Sequence, residues 1–312
     1  MSKARKLQTE VVERPDDFTI PAPNPNEIST IIQPFEYWNE ASNNERNVLV
    51  LLNQSIEGIN LQRLWDNTEL HICADGGANR LYDYFANEYT REDYIPQFIV
   101  GDFDSIRKEV RLYYAKRGAK VIPQLTQYST DFTKAMNTIQ AYYFSPQSRQ
   151  DLQVIEDTNN GIAELLESHN VSNQINHRNI RVYILSGIGG RFDQTIHSIS
   201  QLYILNQSVP YLQLFFITTS DIIFLIQKGK SLIKYPSKEI IHINTNVPSC
   251  GLLPLGNTEV IISSLGLKYD VTDWPSSMLG NVSSSNGISG TDGVILDVSD
   301  AIVMNIETCH SS

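Results

Sequence analysis

The sequence has few cysteines, few basic residues and no long hydrophobic run. Its three cysteines, Cys73, Cys250 and Cys309, are odd in number and far apart. This excludes a disulfide framework and favours reduced thiols in a cytoplasmic protein. The 24 Lys and Arg residues against 35 Asp and Glu residues give a net charge of -11. We therefore expect no nucleic acid and no anionic membrane among its partners.

The longest apolar stretch, "LQLFFITTSDIIFLI" at 212–226, is interrupted by Thr, Ser and Asp221. It suits two short strands better than a membrane span. The basic N-terminus is not followed by an apolar run, so it predicts neither a secretory signal nor an anchor. The Walker-A signature is also missing, which excludes a conventional P-loop enzyme. What is present, 312 residues with 41% hydrophobic content, is enough for one large domain or two ordinary ones.

The order of apolar runs predicts two domains. Residues 1–28 are polar and proline-punctuated, which favours a flexible N-terminal segment. Strand-like runs such as "NVLVLLN" and "IRVYILSG" then alternate with helical patterns. They predict an α/β domain over 29–219, a mostly parallel sheet with helices on both faces. A polar insertion at 145–179 carries one amphipathic stretch at 155–166. Short strands after 220 predict a β-sandwich domain over 220–312.

The stretch "IVGDFDSI" at 99–106 places two carboxylates beside each other. If the strand continues through it, Asp102 and Asp104 share one face of the strand. Such a pair makes sense around a hard divalent cation such as Mg²⁺. The plainer interpretation is a solvated strand end, with Asp104 or Ser105 capping the next helix.

Three other strand ends carry glycines or polar side chains that suit a phosphate or a metal. Each also has a plainer interpretation. Gly76 and Gly77 would form a tight turn, and Arg191 would form a surface ion pair. Asp131 would be an acid in the first turn of a helix that Ser129 or Thr130 caps. The helix after Arg191 is expected to bury Phe192, Ile196, Ile199 and Tyr203, and to leave Asp193 and His197 together on another face. The residues are Asp75, Gly76 and Gly77 in "LHICADGGANR", Gln127 and Asp131 in "QYSTDFTKAM", and Gly189, Gly190, Arg191, Asp193 and Gln194 in "ILSGIGGRFDQTIHS".

These strand ends are expected to meet at one edge of the sheet, because ligands of open α/β sheets bind at the carboxyl ends of the strands. Together they predict a site for Mg²⁺ and a polyphosphate, with carboxylates on the metal and glycine-rich turns around the phosphates. The residues alone do not name the acceptor.

The motifs "ADGGANR", "VGDFDS", "STDFTK", "GGRFDQT", "GLKYD" and "VSSSN", in this order from about residue 47 to the C-terminus, resemble thiamine pyrophosphokinase of the eukaryotic and fungal type. The resemblance implies transfer of a pyrophosphoryl group from ATP to the hydroxyl of thiamine, giving thiamine diphosphate and AMP. It also implies a homodimer with an α/β catalytic domain, a β-sandwich domain and a thiamine site across the dimer interface.

Carried over residue by residue, the resemblance implies a role for each motif. Tyr269 stands where relatives often have Trp, the aromatic that stacks on thiamine from the partner subunit, and the nearby Trp274 is an alternative aromatic contact. The implied metal ligands are Asp75, Asp102, Asp104 and Asp131, of which the last three are the catalytic set; the ATP side consists of Asp75, Gly76, Gly77, Gly189, Gly190, Arg191, Asp193 and Gln194; the thiamine side consists of Gln127, Tyr269, Ser285 and Asn286.

Two competing functions stay open. A different Mg²⁺-dependent nucleotide enzyme, such as a nucleotide-sugar transferase, would use the Asp-Phe-Asp element but release no AMP. A thiamine or nucleotide sensor would bind without turnover, although the like charges of an idle acidic site would only destabilise the fold. Nor does the sequence decide whether Asp75 or Asp131 is the base.

Overall fold

The computed structural model describes residues 10–38, 46–171, 179–242 and 244–308. The helices are α1 (Leu61–Asp66), α2 (Gly77–Tyr84), α3 (Glu88–Glu92), α4 (Lys108–Lys116), α5 (Asp131–Phe144), α6 (Pro146–Val154), α7 (Gly161–Ser168) and α8 (Phe192–Ser208). The strands are β1 (Glu10–Glu13), β2 (Thr30–Ile32), β3 (Asn47–Leu51), β4 (Leu70–Ala74), β5 (Phe98–Gly101), β6 (Lys120–Pro123), β7 (Ile180–Leu185), β8 (Leu212–Ile217), β9 (Asp221–Ile226), β10 (Gly229–Lys234), β11 (Ser249–Leu253), β12 (Val260–Leu265), β13 (Tyr269–Thr272), β14 (Trp274–Ser276), β15 (Ser283–Gly287), β16 (Gly293–Val298) and β17 (Ile302–Glu307).

The chain divides into two compact units, each of which is described by itself. The α/β unit comprises Asn43–Ser198 and Gln207–Thr218. The β-rich unit comprises Met1–Ser42, Ile199–Asn206 and Thr219–Ser312. The predicted fold class, a mostly parallel sheet with helices followed by a β-rich region, is confirmed.

In its described residues, 46–171, 179–198 and 207–218, the α/β unit contains six parallel strands in the order β8-β7-β3-β4-β5-β6. Every residue of β3, β4 and β5 is buried, as expected for strands whose near-continuous apolar runs are covered on both faces. The chain runs outward from β3 to β6 and then returns to the other side of β3 as β7. The order of strands therefore reverses at β3 and β7, and ligands of open sheets bind at the carboxyl ends beside such a reversal.

Helix α5 packs on β4 and β5 and brings its first turn to this edge. It begins where the sequence predicts, because Thr130 Oγ1 accepts the backbone N–H of Thr133 at 3.2 Å and caps the helix. The preceding helix α4 starts at Lys108. It stops before Gly118, whose φ of +100° suits glycine.

The predicted insertion at 145–179 forms two short helices, α6 and α7, which pack on α5 and on each other. The buried side chains of Leu152 and Ile162 attach them to the core. The amphipathic stretch expected over 155–166 is interrupted, since α6 ends at Val154 and α7 begins only at Gly161. Residues 172–178 lie outside the described part of the chain.

The β-rich unit contains three groups of strands. Five strands pair in the order β14-β12-β16-β10-β2, and β15, β11, β17 and β9 pair antiparallel in that order. Strands β1 and β13 pair antiparallel as a separate ribbon. Within 219–242 and 244–308 a single 3₁₀ turn at Lys238–Ile240 is helical, as the turn-rich sequence indicates.

The N-terminal boundaries differ from those predicted. The prediction of a flexible segment over 1–28 is wrong for residues 10–13, which form β1, and residues 1–9 lie outside the described part. The segment after residue 29, expected to open the α/β domain, instead supplies β2, which pairs in parallel with β10 of the β-rich unit. The prolines around these two strands favoured the prediction of an irregular segment. Both strands are short, and each pairs with a strand more than 190 residues later in the sequence, so no local pattern predicts them.

Cys73 and Cys250 are buried free thiols, and burial raises the pKa of Cys250 to about 12. Both are therefore inert side chains of the core rather than nucleophiles. Cys309 lies outside the described residues.

Among the residues described, no helix has the length and apolar character needed to cross a membrane.

Candidate active site

Three carboxylates from three different elements meet at the carboxyl edge of the α/β sheet. Asp75 follows β4, Asp102 follows β5 and Asp131 opens α5. One oxygen from each lies within 4.8 Å of the others. An all-oxygen donor set of this spacing fits a hard divalent cation such as Mg²⁺. The predicted meeting of strand ends has thus placed three of the four proposed metal ligands together.

Asp104, the fourth, is not one of these three. The expectation that Asp102 and Asp104 share a strand face is wrong, because β5 ends at Gly101 and Phe103 adopts a left-handed φ of +65°. The chain turns at Phe103 instead of continuing extended. Asp104 is exposed, donates its backbone N–H to Asp102 at 3.4 Å and accepts a hydrogen bond from Ser105 Oγ at 2.7 Å. The plainer interpretation of a solvated strand end describes this local geometry. Its prediction that Asp104 or Ser105 caps the next helix is wrong, because the N-cap of α4 is Arg107, without a side-chain cap hydrogen bond.

Backbone contacts fix the position of Asp75. Its carboxylate accepts the backbone N–H groups of Ser105 at 3.0 Å and Ile106 at 3.1 Å, and its own φ is +40°. A Cβ at Gly101 would lie 2.6 Å from Cβ of Asp75 and 3.2 Å from Oδ1 of Asp131. Only glycine at 101 therefore allows the two carboxylates to approach each other, and the strained φ at Asp75 is held by its surroundings.

The three carboxylates differ in acidity. Burial raises the pKa of Asp75 to about 6, and the negative charge of Asp131 adds to the effect against the two backbone hydrogen bonds. Burial also raises the pKa of Asp131, although Lys134 opposes it. For Asp102, burial acts in the same direction, but hydrogen bonds from Gln127 and the backbone of Asp104 outweigh it and lower the pKa. The cluster therefore combines one carboxyl group whose pKa is lowered with two whose pKa is raised, because burial disfavours their charged forms.

Lys134 is the nearby positive charge. Its side chain is buried, with 4% exposed, and Nζ lies 3.1 Å from Oδ1 of Asp131. It lies one helical turn after Asp131, so both face the sheet edge from α5. Its spacing from Asp131 on the helix could have identified Lys134, which is not among the acidic and glycine residues predicted from the sequence.

Asp102, Asp131 and Lys134 line a cleft of about 510 Å³ within the α/β unit, a size suited to a nucleotide-sized ligand. Of the predicted residues, five line it: Asp102, Gln127, Asp131, Arg191 and Gln194. Gln127 Nε2 donates to Oδ2 of Asp102 at 2.9 Å, so it contacts the acidic cluster directly. The other predicted residues of this unit are not part of the lining: Asp75, Gly76, Gly77, Asp104, Gly189, Gly190 and Asp193.

Sequence reasoning missed part of the lining: Asn53, Gln54, Lys134, Ser186 and Ser198. Asn53 and Gln54 follow β3, and Ser186 follows β7 with a φ of +66°. These are the two strands at which the order reverses. The rule that polar residues at strand ends mark the site could have found them. His197, considered a helix-flank residue, also lines the cleft and lies 3.3 Å from Thr130 Oγ1 through Nε2.

The glycine-rich turns have a packing reason of their own. A Cβ at Gly77 would lie 2.1 Å from the carbonyl oxygen of Leu51, and one at Gly190, whose φ is +61°, would lie 2.6 Å from Gln54 Oε1. Glycine is thus required at 77 by the close approach of α2 to the backbone at the end of β3, and at 190 by the left-handed backbone conformation. This requirement holds whether or not phosphate binds there.

Arg191 pairs with Asp193 through two contacts, at 3.1 Å and 2.5 Å, on an exposed surface. This is the ion pair that the plainer interpretation anticipated. The predicted core face of α8 is wrong at its start: Phe192 is 77% exposed and Ile196 48% exposed. The buried face of α8 instead carries Ser198, Gln201, Leu202 and Leu205.

The β-rich unit has its own pocket, of about 160 Å³, lined mainly by apolar and aromatic side chains. Tyr269, Trp274 and Asn286 line it, whereas Ser285 is exposed and Ser283 takes its place in the lining. The Asn286 side chain accepts the backbone N–H of Tyr269 at 2.9 Å and donates to its carbonyl at 2.8 Å. Asn286 therefore holds the backbone of Tyr269, which leaves the half-exposed ring free for a ligand.

The two units define a class of α/β protein in which an acidic strand-edge cleft suits a cation with a phosphate-bearing ligand, and a separate β-rich unit carries an aromatic pocket. Comparison with known proteins specifies the family. Residues 61–212 match the family model "Thiamin pyrophosphokinase, catalytic domain", and residues 238–303 match "Thiamin pyrophosphokinase, vitamin B1 binding domain". The chain belongs to the thiamin pyrophosphokinase family.

Individual relatives agree. The chain is 40% identical to thiamine pyrophosphokinase of Saccharomyces cerevisiae over 276 residues, which covers 84% of this chain and 86% of that protein. The structure resembles thiamin pyrophosphokinase from Candida albicans, with a TM-score of 0.87, 46% identity and coverage of 97% of this chain and 100% of that one. Yeast thiamin pyrophosphokinase gives a TM-score of 0.83 at 37% identity, covering 96% and 97% of the two chains. The predicted family, and with it the prediction of an enzyme, is confirmed.

Proposed function

We propose that this protein transfers the pyrophosphoryl group of ATP to the hydroxyl of thiamine and gives thiamine diphosphate and AMP. Membership of the family supports the reaction. The observation that carries the assignment of the site is the cluster of Asp75, Asp102 and Asp131, with one oxygen from each within 4.8 Å of the others. It lies beside the reversal of strand order, where a polyphosphate would be expected.

The donor set fits Mg²⁺, which would be held by these three carboxylates with Asp104 as the proposed fourth ligand. When bound, the ion would neutralise charge on the phosphates of ATP. Within the α/β unit we assign Asp75, Arg191, Asp193 and Gln194 to the ATP side, together with the turns at Gly76, Gly77, Gly189 and Gly190. For Arg191, binding would exchange its contact with Asp193 for a phosphate, to which a guanidinium can donate two parallel hydrogen bonds.

The proton of the thiamine hydroxyl requires an acceptor. A carboxylate with a raised pKa is the better base, so Asp75 and Asp131 are the two candidates and Asp102, with its lowered pKa, is not. Lys134 Nζ lies 3.1 Å from Oδ1 of Asp131 and can stabilise the negative charge that develops on the transferred group.

Thiamine would be recognised by Gln127 from the α/β unit and by Tyr269, Ser285 and Asn286 from the β-rich unit. An aromatic face attracts the cationic thiazolium ring. We further propose a homodimer in which these two groups of residues come from different subunits. The cytoplasmic location inferred from the cysteines stays a prediction.

The reaction is tested by chromatography of the nucleotides after incubation with ATP, Mg²⁺ and thiamine. We expect AMP and thiamine diphosphate in equal amounts, and neither with the Asp102→Asn variant. Thiamine-dependent ADP, or no AMP, would contradict the reaction and favour another nucleotide enzyme. Thiamine binding without any product would indicate a sensor.

The shared site is tested by mixing subunits. Asp102→Asn and Tyr269→Ala each damage one side of the site, so heterodimers of the two variants would contain one intact site if the site is built across a two-fold interface. Statistical mixing should then restore about a quarter of wild-type activity at low thiamine. No gain over the separate variants would mean that each site is built within one chain.

A further inference from the structure

The strand β1 lies outside the residues that match the two family models, which begin at residues 61 and 238. It nevertheless pairs along its whole length with β13, the strand that begins with Tyr269. In this pairing Val11 is opposite Val271 and Glu13 is opposite Tyr269. Since alternate residues of a strand share a face, Val11 lies on the same face as Tyr269 and Val271.

That face is one side of the pocket in the β-rich unit. Val11, Tyr269, Val271 and Trp274 all line it. At about 160 Å³ the pocket is smaller than sites that enclose a whole ligand of drug size. It is large enough for one five- or six-membered ring and too small for a nucleotide. Val11 is 50% exposed and Tyr269 is 44% exposed, so both retain surface that a ring could cover.

The chain after β1 is anchored independently of any ligand. Arg14 Nε lies 2.7 Å from Oδ2 of Asp270, whose side chain is 3% exposed. The same carboxylate accepts the backbone N–H groups of Gly266 at 3.0 Å and Leu267 at 3.0 Å. Lys268 Nζ donates to the carbonyl of Arg14 at 2.8 Å, and the backbone of Arg14 donates back to Lys268 at 2.8 Å. A buried, fully engaged carboxylate of this kind fixes geometry, so the position of β1 is set before substrate arrives.

We propose that β1 is a wall of the substrate-ring pocket and that Val11 is a binding residue that contacts a heterocyclic ring of the substrate opposite Tyr269. This inference rests on the proposed function, since it takes the ring to be one of the two rings of thiamine. It extends the substrate site beyond the matched family regions to the N-terminal segment.

The test uses full-length protein with Val11→Ser and, as a matched control, Val12→Ser. Both remove the same groups from neighbouring positions, but Val12 faces away from Val11 and does not line the pocket. Thiamine binding is measured by quenching of tryptophan fluorescence, since Trp274 lines the pocket. For Val11→Ser we expect the thiamine Kd and KM to rise about three- to tenfold, with kcat and the KM for ATP unchanged. Val12→Ser should leave the thiamine Kd as in wild type.

Val11→Trp provides a second variant, because it fills the pocket instead of enlarging it. It should abolish thiamine binding, measured here by calorimetric titration because the added tryptophan would itself fluoresce, while the melting temperature stays close to that of wild type. An unchanged thiamine Kd in Val11→Ser, or an equal rise in both serine variants, would overturn the proposal. So would a Val11→Trp variant that binds thiamine normally but changes its oligomeric state, since the pocket would then receive a side chain of the partner subunit.

The result is separable from that of the proposed reaction. If wild-type protein forms no thiamine diphosphate but its fluorescence is quenched by thiamine, the reaction fails while the Val11 comparison still decides the role of β1. If the reaction proceeds and Val11→Ser behaves like Val12→Ser, the reaction stands and β1 is only structural.

Discussion

The two candidate binding regions differ in both chemistry and construction. The cleft of the α/β unit is about 510 Å³ in volume, and two carboxylates of the acidic cluster, Asp102 and Asp131, and a buried lysine line it. The pocket of the β-rich unit is about 160 Å³ and is lined by valines, leucine, isoleucine and two aromatic rings. The first can manage charge, whereas the second can hold a ring by apolar contact.

In the proposed reaction the two regions would therefore have different tasks. Charged groups in the cleft would decide how fast the pyrophosphoryl group moves, and the pocket would decide how tightly the acceptor binds. Variants in the two regions should therefore affect different kinetic constants.

The largest effect is expected from Asp131→Asn. Removing one carboxylate from the cluster should lower kcat by roughly 10²- to 10³-fold, as does the loss of a preorganised electrostatic group in other enzymes. The KM for thiamine should stay within about twofold of wild type. Steady-state kinetics would check this, with Asp93→Asn, an exposed aspartate at the end of α3, as the control that should change neither constant. A rise in the thiamine KM with normal kcat would contradict the assignment of the cleft to catalysis and of the pocket to thiamine binding.

Tyr269→Ala should have the next largest effect, with the roles reversed. Loss of the aromatic face should raise the KM for thiamine about tenfold, and kcat should change little. Because Asn286 holds the backbone at this position through main-chain atoms, the variant keeps its local fold. Tyr269→Trp should lower the KM, since an indole attracts a cation more strongly. If Tyr269→Ala lost kcat alone, the pocket would not be an acceptor site.

Gln127→Ala sharpens the comparison, because Gln127 donates to Asp102 at 2.9 Å and is also a proposed thiamine contact. Its side chain is exposed, so we expect an effect of only about threefold on the KM for thiamine. Calorimetric titration with Mg²⁺ separates the two roles: unchanged metal affinity with a raised thiamine KM supports the thiamine contact. Weakened metal affinity with normal thiamine KM would make Gln127 a positioning residue for Asp102.

The smallest effect concerns stability and pH. The folded-state pKa of Asp75 is raised from 3.8 to about 6, so the folded protein binds more protons than the unfolded protein in that window. Its contribution to stability is fully present below about pH 4 and is lost as pH rises through about 6. A cation in the cluster should offset this loss. Mg²⁺ should raise the melting temperature by a few degrees at pH 8 and much less at pH 5. An equal shift at both pH values would place the ion elsewhere.

Much of the architecture could be read from the sequence because apolar runs are strong local signals. The uninterrupted runs of β3 to β5 gave the parallel sheet, and the glycines and acids that follow them marked its edge. The prediction that the strand continues from Asp102 to Asp104 was wrong. No local pattern indicates that Phe103 takes a positive φ, because aromatic residues rarely do. That conformation depends on tertiary contacts, and so does the grouping of Asp75 with Asp131.

Contacts between residues far apart in the sequence explain the two other wrong predictions, at β1 and at α8. Strand β1 is four residues long, and its partner β13 begins at Tyr269, so a local pattern could not identify it. The exposed Phe192 and Ile196 followed an ideal helical stripe, but the buried face of α8 is set by its neighbours and includes Ser198 and Gln201. Periodicity indicates that a helix has an apolar face without showing what that face will contact.

Titration with Mn²⁺, followed by electron paramagnetic resonance, decides whether the acidic cluster of the α/β unit holds the metal, as we propose, without ligands from the β-rich unit. Wild type, Asp102→Asn and Tyr269→Ala would be compared without nucleotide. The account predicts tight binding of Mn²⁺ by wild type and Tyr269→Ala and loss of that binding in Asp102→Asn. Full binding by Asp102→Asn, or an equal loss in Tyr269→Ala, would contradict it.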